Sequence, residues 1–196
     1  MEYEYIPGQT PLDEEEKEDL IPIALTRADL DRFEQENILE ARQWVMQKSV
    51  LARQEVFTEQ FLLNLHQRMF GQVWKWAGSY RRSNKNIGVD YYQIPTDLRI
   101  LLGDAAYWLE HETYAITDLA VIFHYRLVKI HLFPNGNGRH ARLVADVISA
   151  KYGGEELSWG GKVDLAAASD TRKAYIAALV KADGGDYAPI IAFAKS

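Results

Sequence analysis

Along most of the chain, apolar residues recur at intervals of three and four, the spacing that lays one stripe down one side of an α-helix. The clearest run is Ile116, Leu119, Ala120, Phe123, Leu127 and Ile130, at i, i+3, i+4, i+7, i+11 and i+14, which predicts a buried helix opening near Thr117. The pattern resumes at Ala141, Val144, Ala145 and Ile148 and stops at Gly153-Gly154, residues suited to ending a helix. Upstream, Thr26 is placed to cap a helix running to about Lys48. Thr58 is placed to cap another, whose core-facing residues are Phe61, Leu62, Leu65 and Met69. Thr96 or Asp97 is expected to open a helix ending near Glu110, and two further helices are expected near Asp170–Ala182 and Tyr187–Ala194.

The exception is the stretch from Gly71 to Pro95. There Trp74, Trp76, Tyr80, Tyr91 and Tyr92 are interleaved with Gly78, Asn84, Asn86 and Gly88, a mixture that favours a loop or short hairpin over a helix. Before the first helix, Pro7, Gly8, Pro11 and Pro22 surround the acidic run Asp13-Glu14-Glu15-Glu16, which reads as a solvated, partly extended arm. The expected fold is mostly α with one small hairpin.

Composition narrows this picture. A chain of 196 residues suits one domain with a sizeable core, and its 47% hydrophobic and 26% charged shares are ordinary for a globular protein. No apolar run approaches the roughly 18 residues that suggest a membrane span. The start of the chain lacks a basic-then-apolar leader, so secretion is not expected. The absence of cysteine excludes disulfides and thiolate metal sites and fits a cytoplasmic protein. A net charge of −6 argues against broad electrostatic binding to nucleic acid.

Chemistry concentrates where the helical pattern is interrupted, in Ile130-His131-Leu132-Phe133-Pro134-Asn135-Gly136-Asn137-Gly138-Arg139-His140-Ala141-Arg142. Gly136 and Gly138 let the backbone turn tightly and approach a ligand. The first amides of the helix that starts near Gly138 lack partners within it and can donate to phosphate oxygens. Arg139 and Arg142, three residues apart, can reach one polyphosphate. His131 carries an imidazole able to accept a proton at neutral pH. A base beside a phosphate cradle suggests transfer of a phosphate-containing group to a hydroxyl. Taken alone, His131 also fits a helix cap or a packed core histidine. His66, His111, His124 and His140 lack a comparable setting, and His124 reads as structural. Phe133 reads as a packing anchor and Pro134 as a stiffener of the loop.

The run resembles the Fic family motif, H-x-F-x-[D/E]-G-N-G-R-x-x-R. His131, Phe133, Gly136, Asn137, Gly138, Arg139 and Arg142 match, and Asn135 departs. The whole chain is also similar to the small bacterial Fic subfamily called mobile mystery protein B. The resemblance implies a helical bundle with a β-hairpin flap beside the active site, an N-terminal arm and helix over residues 1–50, and a Fic core over 51–196. It implies a protein adenylyltransferase, in which His131 takes the proton of a Ser, Thr or Tyr hydroxyl on a target protein. That hydroxyl attacks the α-phosphate of ATP, AMP is transferred and pyrophosphate leaves. Gly136, Asn137 and Gly138 would form the anion hole, Arg139 would hold the β-phosphate and Arg142 the γ-phosphate.

Other implications are less fully matched. The family places an acid where Asn135 stands, to bind Mg²⁺ (or Mn²⁺); an amide oxygen can ligate but brings no charge. Trp76-Ala77-Gly78-Ser79-Tyr80-Arg81 resembles the lead-in to the flap, which holds the target by strand pairing, with Gly88, Val89 and Asp90 near its working edge. Many Fic proteins also carry an inhibitory helix with the pattern [S/T]-x-x-x-E-[G/N]. Only Glu36-Asn37 fits it, with Arg32 at the Ser/Thr position, and the expectation is that Glu36 faces Arg142. The alternatives are removal of AMP, transfer of another phosphate-containing group, or a nucleotide-binding module without turnover. The partners implied are a target protein and a helix-turn-helix protein encoded nearby in a toxin–antitoxin-like setting, without direct nucleic acid or membrane contact.

Overall fold

A computed structural model describes residues 10–23, 26–161 and 169–196. Pro7 and Gly8 of the N-terminal arm lie outside the described residues. The helices, in chain order, are α1 (Glu14–Glu18), α2 (Arg27–Val45), α3 (Lys48–Leu51), α4 (Glu59–Phe70), α5 (Ile94–Glu110), α6 (Ile116–Ile130), α7 (Asn137–Tyr152), α8 (Asp170–Asp183) and α9 (Ala188–Lys195). α2 and α4 open as expected, with the hydroxyls of Thr26 and Thr58 accepting from the amides of Asp29 and Phe61. Two other starts differ. α5 begins at Ile94 with Pro95 in its first turn, because proline's fixed φ and missing N–H suit a position where no intrahelical donor is needed. Thr117 lies inside α6, and its hydroxyl accepts from the Glu155 amide instead of capping the helix.

α6 and α7 form the central pair of the bundle, with α5 and α9 packed on α6 and α4 packed on α7. α2 lies along α4, and α8 along α9. Leu119, Ala120, Phe123 and Leu127 are buried, and so are Val121, Ile122, His124 and Tyr125, so α6 is enclosed nearly all round rather than along one stripe. Each large apolar side chain buried this way contributes roughly 1.5–3 kcal/mol. Among the described residues, no helix is long and apolar enough to cross a membrane.

The expected hairpin is corrected by the structure. Among the described residues there is no β-strand, only an isolated antiparallel bridge between Leu20 and Trp74. The segment from Gly71 to Asp90 is a succession of turns and bends. The cause is Arg81, whose buried guanidinium donates to the carbonyls of Ser83, Val89 and His131. The two sides of the flap segment are therefore tied through a side chain and not through a backbone ladder.

The acidic arm is also not free in solvent. Thr10 and Leu12 are buried, and the indole of Trp76 donates to the Glu16 carbonyl. The ammonium of Lys85 lies buried between Asp13 (2.8 Å) and Glu16 (2.6 Å). Asp13 and Glu16 thus have their counter-ion in the flap segment, while Glu14 and Glu15 stay exposed as expected.

Candidate active site

The site is made by the turn from α6 to α7. α6 ends on His131 itself, which adopts the left-handed conformation at φ 61° and ψ 68°. For a residue with a Cβ this costs roughly 1–2 kcal/mol. Arg81 offsets it by donating from Nε to the His131 carbonyl at 2.7 Å, while the Arg81 amide donates to the Leu132 carbonyl at 2.9 Å. The imidazole is buried, and burial first, then the nearby Arg81 charge, pushes its pKa down to about 4, against a small opposing effect of the Val128 carbonyl. At neutral pH the ring is uncharged, with Nε2 turned to the site.

The loop after it is fixed from both sides. Phe133 is fully buried and stacks on His66 with centroids 3.6 Å apart. The Asn137 amide closes the turn, accepting from the Phe133 N–H at 3.0 Å and donating to the Phe133 carbonyl at 2.8 Å. His66 Nδ1 accepts from the Gly78 amide, so Nε2 carries the hydrogen and donates to the Asn135 carbonyl at 3.1 Å. Gly136 sits at φ 78°, and a Cβ there would lie 2.5 Å from the Phe70 ring. The turn thus delivers the first amides of α7, at Asn137, Gly138 and Arg139, toward a cavity of about 470 Å³.

His131, Asn135, Gly136, Asn137, Gly138, Arg139 and Arg142 all line that cavity, as do Gly88 and Val89 of the flap segment. Asp90 does not; its carboxylate accepts from Asn84 Nδ2 at 2.7 Å and from the Tyr92 hydroxyl at 2.9 Å. The guanidinium of Arg142 lies 5.4 Å from the centre of the Tyr175 ring, whose hydroxyl is 2.9 Å from His124 Nε2. His124 is fully buried, in keeping with a structural role.

Two expectations are corrected. Glu36 is exposed and does not line the cavity. From α2, Asp31 lines the cavity, while Glu34, 4% exposed, pairs with the cavity-lining Arg139 at 2.5 Å and accepts from the Trp74 indole at 2.7 Å. The reason is helical phase. Two residues are about 200° apart around a helix, and the buried side of α2 carries Leu30, Glu34, Asn37, Ala41 and Val45. The second correction concerns metal. Asn135 Oδ1 already accepts from the Gly136 amide at 2.6 Å and from Arg139 at 3.3 Å, and it is neutral. Among the described residues no group of three His, Cys, Asp or Glu is arranged to hold an ion. The residues present do not fit a protein-held Mg²⁺.

Several residues that the sequence did not single out complete the site. The hydroxyl of Thr10 lies 2.9 Å from His131 Nε2, and its carbonyl accepts from Asn135 Nδ2 at 3.1 Å. Glu34, His66 and Arg81 hold the arginine, the loop and the catalytic-turn carbonyl. For Glu34 a signal existed in its spacing from Leu30 and Ala41; for Thr10 there was none.

An uncharged imidazole, a helix N-terminus and two guanidiniums on one cavity give a mostly helical protein a turn suited to phosphate. Residues 56–149 match the Fic/DOC family. The chain is a Fic domain protein. It is 31% identical over 136 residues to the protein adenylyltransferase Fic of Drosophila virilis, covering 67% of this chain and 26% of that protein. To the protein of the same name from Aedes aegypti it is 28% identical over 159 residues, covering 79% and 30%. The chain therefore spans a quarter to a third of the length of these curated relatives. Among solved structures, Fic-1 from C. elegans superposes with a TM-score of 0.64 at 24% identity, over 92% of this chain and 51% of that one. The BepC protein of Bartonella tribocorum, solved with bound AMPPNP, gives 0.65 at 15% identity, over 93% and 97%.

Proposed function

We propose that the chain is a protein adenylyltransferase that moves AMP from ATP to a hydroxyl side chain of a target protein. The observation that carries this reading is the shared cavity. His131, the residues opening α7 and Arg142 all line it, so a proton acceptor and phosphate ligands can address one bound molecule. Names of the curated relatives point the same way. In the proposed reaction His131, uncharged at neutral pH, accepts the proton of the target hydroxyl, whose oxygen bonds to the α-phosphorus of ATP as the bond to the β-phosphate oxygen breaks. The α7 amides with Gly136 and Gly138 hold the phosphate oxygens, and Arg139 and Arg142 stabilise the charge that develops on the leaving pyrophosphate. Divalent ions assist such transfers by neutralising phosphate charge. With Asn135 as found, this position adds no charge, so an ion there would lean chiefly on the nucleotide's own oxygens.

Glu34 is the natural competitor of the nucleotide for Arg139, and we assign it the inhibitory role that the sequence pattern suggested for Glu36. A cytoplasmic, toxin–antitoxin-like setting with a helix-turn-helix partner goes with this reading through the likeness to mobile mystery protein B.

The test is incubation of wild type and His131→Ala with α-labelled ATP, divalent metal and a cell lysate. Wild type is expected to label lysate proteins with AMP, and the variant to lose at least about 10²-fold in rate, the contribution typical of a general base. Equal labelling by both would overturn the assignment, and an adduct with the mass of phosphate would redirect it to a different transfer.

A further inference from the structure

The flap segment beside a Fic-type site is expected to receive a target peptide, and in this chain that position is filled from within. Thr10 is 121 residues from His131 in sequence, yet its hydroxyl oxygen lies 2.9 Å from His131 Nε2, the atom that would accept a target's proton. We infer that the arm from Thr10 onward is docked as an intramolecular substrate and that Thr10 is a site of self-adenylylation in cis. This rests on the adenylyl-transfer reading above and names one acceptor for it.

Three independent observations make the docking a built arrangement. First, Thr10 is only 6% exposed, and its carbonyl accepts from Asn135 Nδ2 at 3.1 Å. An acid at position 135, as the family pattern has it, would set a carboxylate oxygen against that carbonyl. The amide supplies the missing donor, so the departure of Asn135 from the pattern suits this arm. Second, the next residues are clamped to the flap segment. Lys85 bonds Asp13 and Glu16, and the Ser83 hydroxyl donates to Asp13 at 2.6 Å. The flap segment thus grips the arm through the side chains of Ser83 and Lys85, a few residues before its edge at Gly88, Val89 and Asp90. Third, the seated arm does not fill the phosphate site. The cavity of about 470 Å³ remains, lined by Thr10 as well as by His131, Gly136 and Arg142. That volume lies within the range of roughly 300–1,000 Å³ typical of small-molecule sites. The hydroxyl, the base and the space for a nucleotide coexist in one conformation.

The step balances without further reagents. The proton on Thr10 Oγ1 passes to His131 Nε2, Oγ1 forms a bond to the α-phosphorus of ATP, and the bond from that phosphorus to the bridging oxygen breaks. Pyrophosphate leaves with the electron pair, and Thr10 retains AMP as a phosphodiester. Because acceptor and base share one chain, the reaction is first order in protein, with the advantage of a pre-oriented neighbour.

The test uses the whole chain with α-labelled ATP and divalent metal, with and without lysate, followed by peptide mapping. Wild type is expected to gain one AMP on the peptide containing Thr10, at a rate per chain independent of protein concentration. Thr10→Ser should retain the label at residue 10, and Thr10→Val should abolish it there. Lys85→Met, which releases the clamp, should lower labelling at Thr10 by about tenfold relative to labelling of lysate proteins. In a mixture of wild type with a tagged His131→Ala chain, only the wild-type Thr10 should be labelled. Label on the inactive chain, or on another residue of the active one, would overturn the inference. Lysate proteins labelled while Thr10 stays clean would also overturn it, leaving the adenylyltransferase reading intact. No His131-dependent label anywhere would sink both.

Discussion

Glu34 pairs with Arg139 in the resting site, the guanidinium proposed to meet the nucleotide. A charge-assisted hydrogen bond to an ionised partner is worth roughly 1.5–3 kcal/mol, and 1.4 kcal/mol is about a factor of ten in affinity. Glu34→Gln keeps an acceptor for the Trp74 indole and removes the charge that holds Arg139. The expected result is a rise of about tenfold in AMP transfer at low ATP, measured by labelled-nucleotide incorporation. Glu36→Gln, on the exposed side of α2, is expected to change neither transfer nor stability. A Glu34→Gln chain no faster than wild type would remove Glu34 from regulation. The residues of the phosphate turn were legible in the sequence because they are contiguous and their types are unusual together. Glu34 was legible only through helical phase, by counting from Leu30 to Val45. Thr10 was not legible at all, since nothing local distinguishes a threonine that meets a base 121 residues away.

At the level of elements, the α6–turn–α7 unit depends on one backbone position more than on any other. Gly136 stands at φ 78° with the Phe70 ring 2.5 Å from where a Cβ would be. Gly153, which closes the same helix, has φ 82° but nothing within 4 Å. The two therefore separate strain from crowding. Gly153→Ala is expected to cost about 1 kcal/mol, the strain of a left-handed residue alone. Gly136→Ala adds overpacking against a fully buried ring, typically 1–3 kcal/mol more, and displaces the α7 amides. Urea unfolding should show the larger shift for Gly136→Ala, and transfer activity should fall only in that variant. Equal midpoints would mean that Phe70 yields freely and that the turn is not held by packing. The helices themselves were readable because periodicity of apolar residues survives without tertiary context. The flap segment was not, because its form comes from Arg81 reaching carbonyls on both of its sides and at the end of α6. Its aromatic and glycine content is equally compatible with a hairpin.

Across the whole molecule, four of the five histidines converge on the interior around α4, α6 and α7, which gives the fold a particular response to acid. Burial holds the pKa of His124 and of His140 down to about 3 and that of His131 to about 4, and it pushes His66 well below its ordinary value. In the unfolded chain each returns to about 6.5. Above that pH both states are neutral and the histidines contribute no pH dependence. As pH falls below about 6.5 the unfolded state binds protons that the folded state refuses, so stability declines until the folded pKa values are reached. Three or four such groups give a slope of several kcal/mol per pH unit near pH 5, large against a typical total of roughly 5–15 kcal/mol. Asp146, raised by its burial, acts the opposite way, but as a single group. The chain is therefore expected to unfold cooperatively between about pH 4 and 6, earlier than carboxylates alone would bring about, as followed by far-ultraviolet circular dichroism. His140→Gln removes one titrating ring and should make the decline of stability between about pH 6 and 5 shallower by about 1.4 kcal/mol per pH unit, whatever it costs at neutral pH by weakening the bond to the Leu62 carbonyl. A slope that the substitution leaves unchanged, or a wild-type acid midpoint below about pH 3, would show that these rings do not govern acid stability. Such a dependence is invisible in a list of five scattered histidines, because it arises only when packing strips the water from four of them at once.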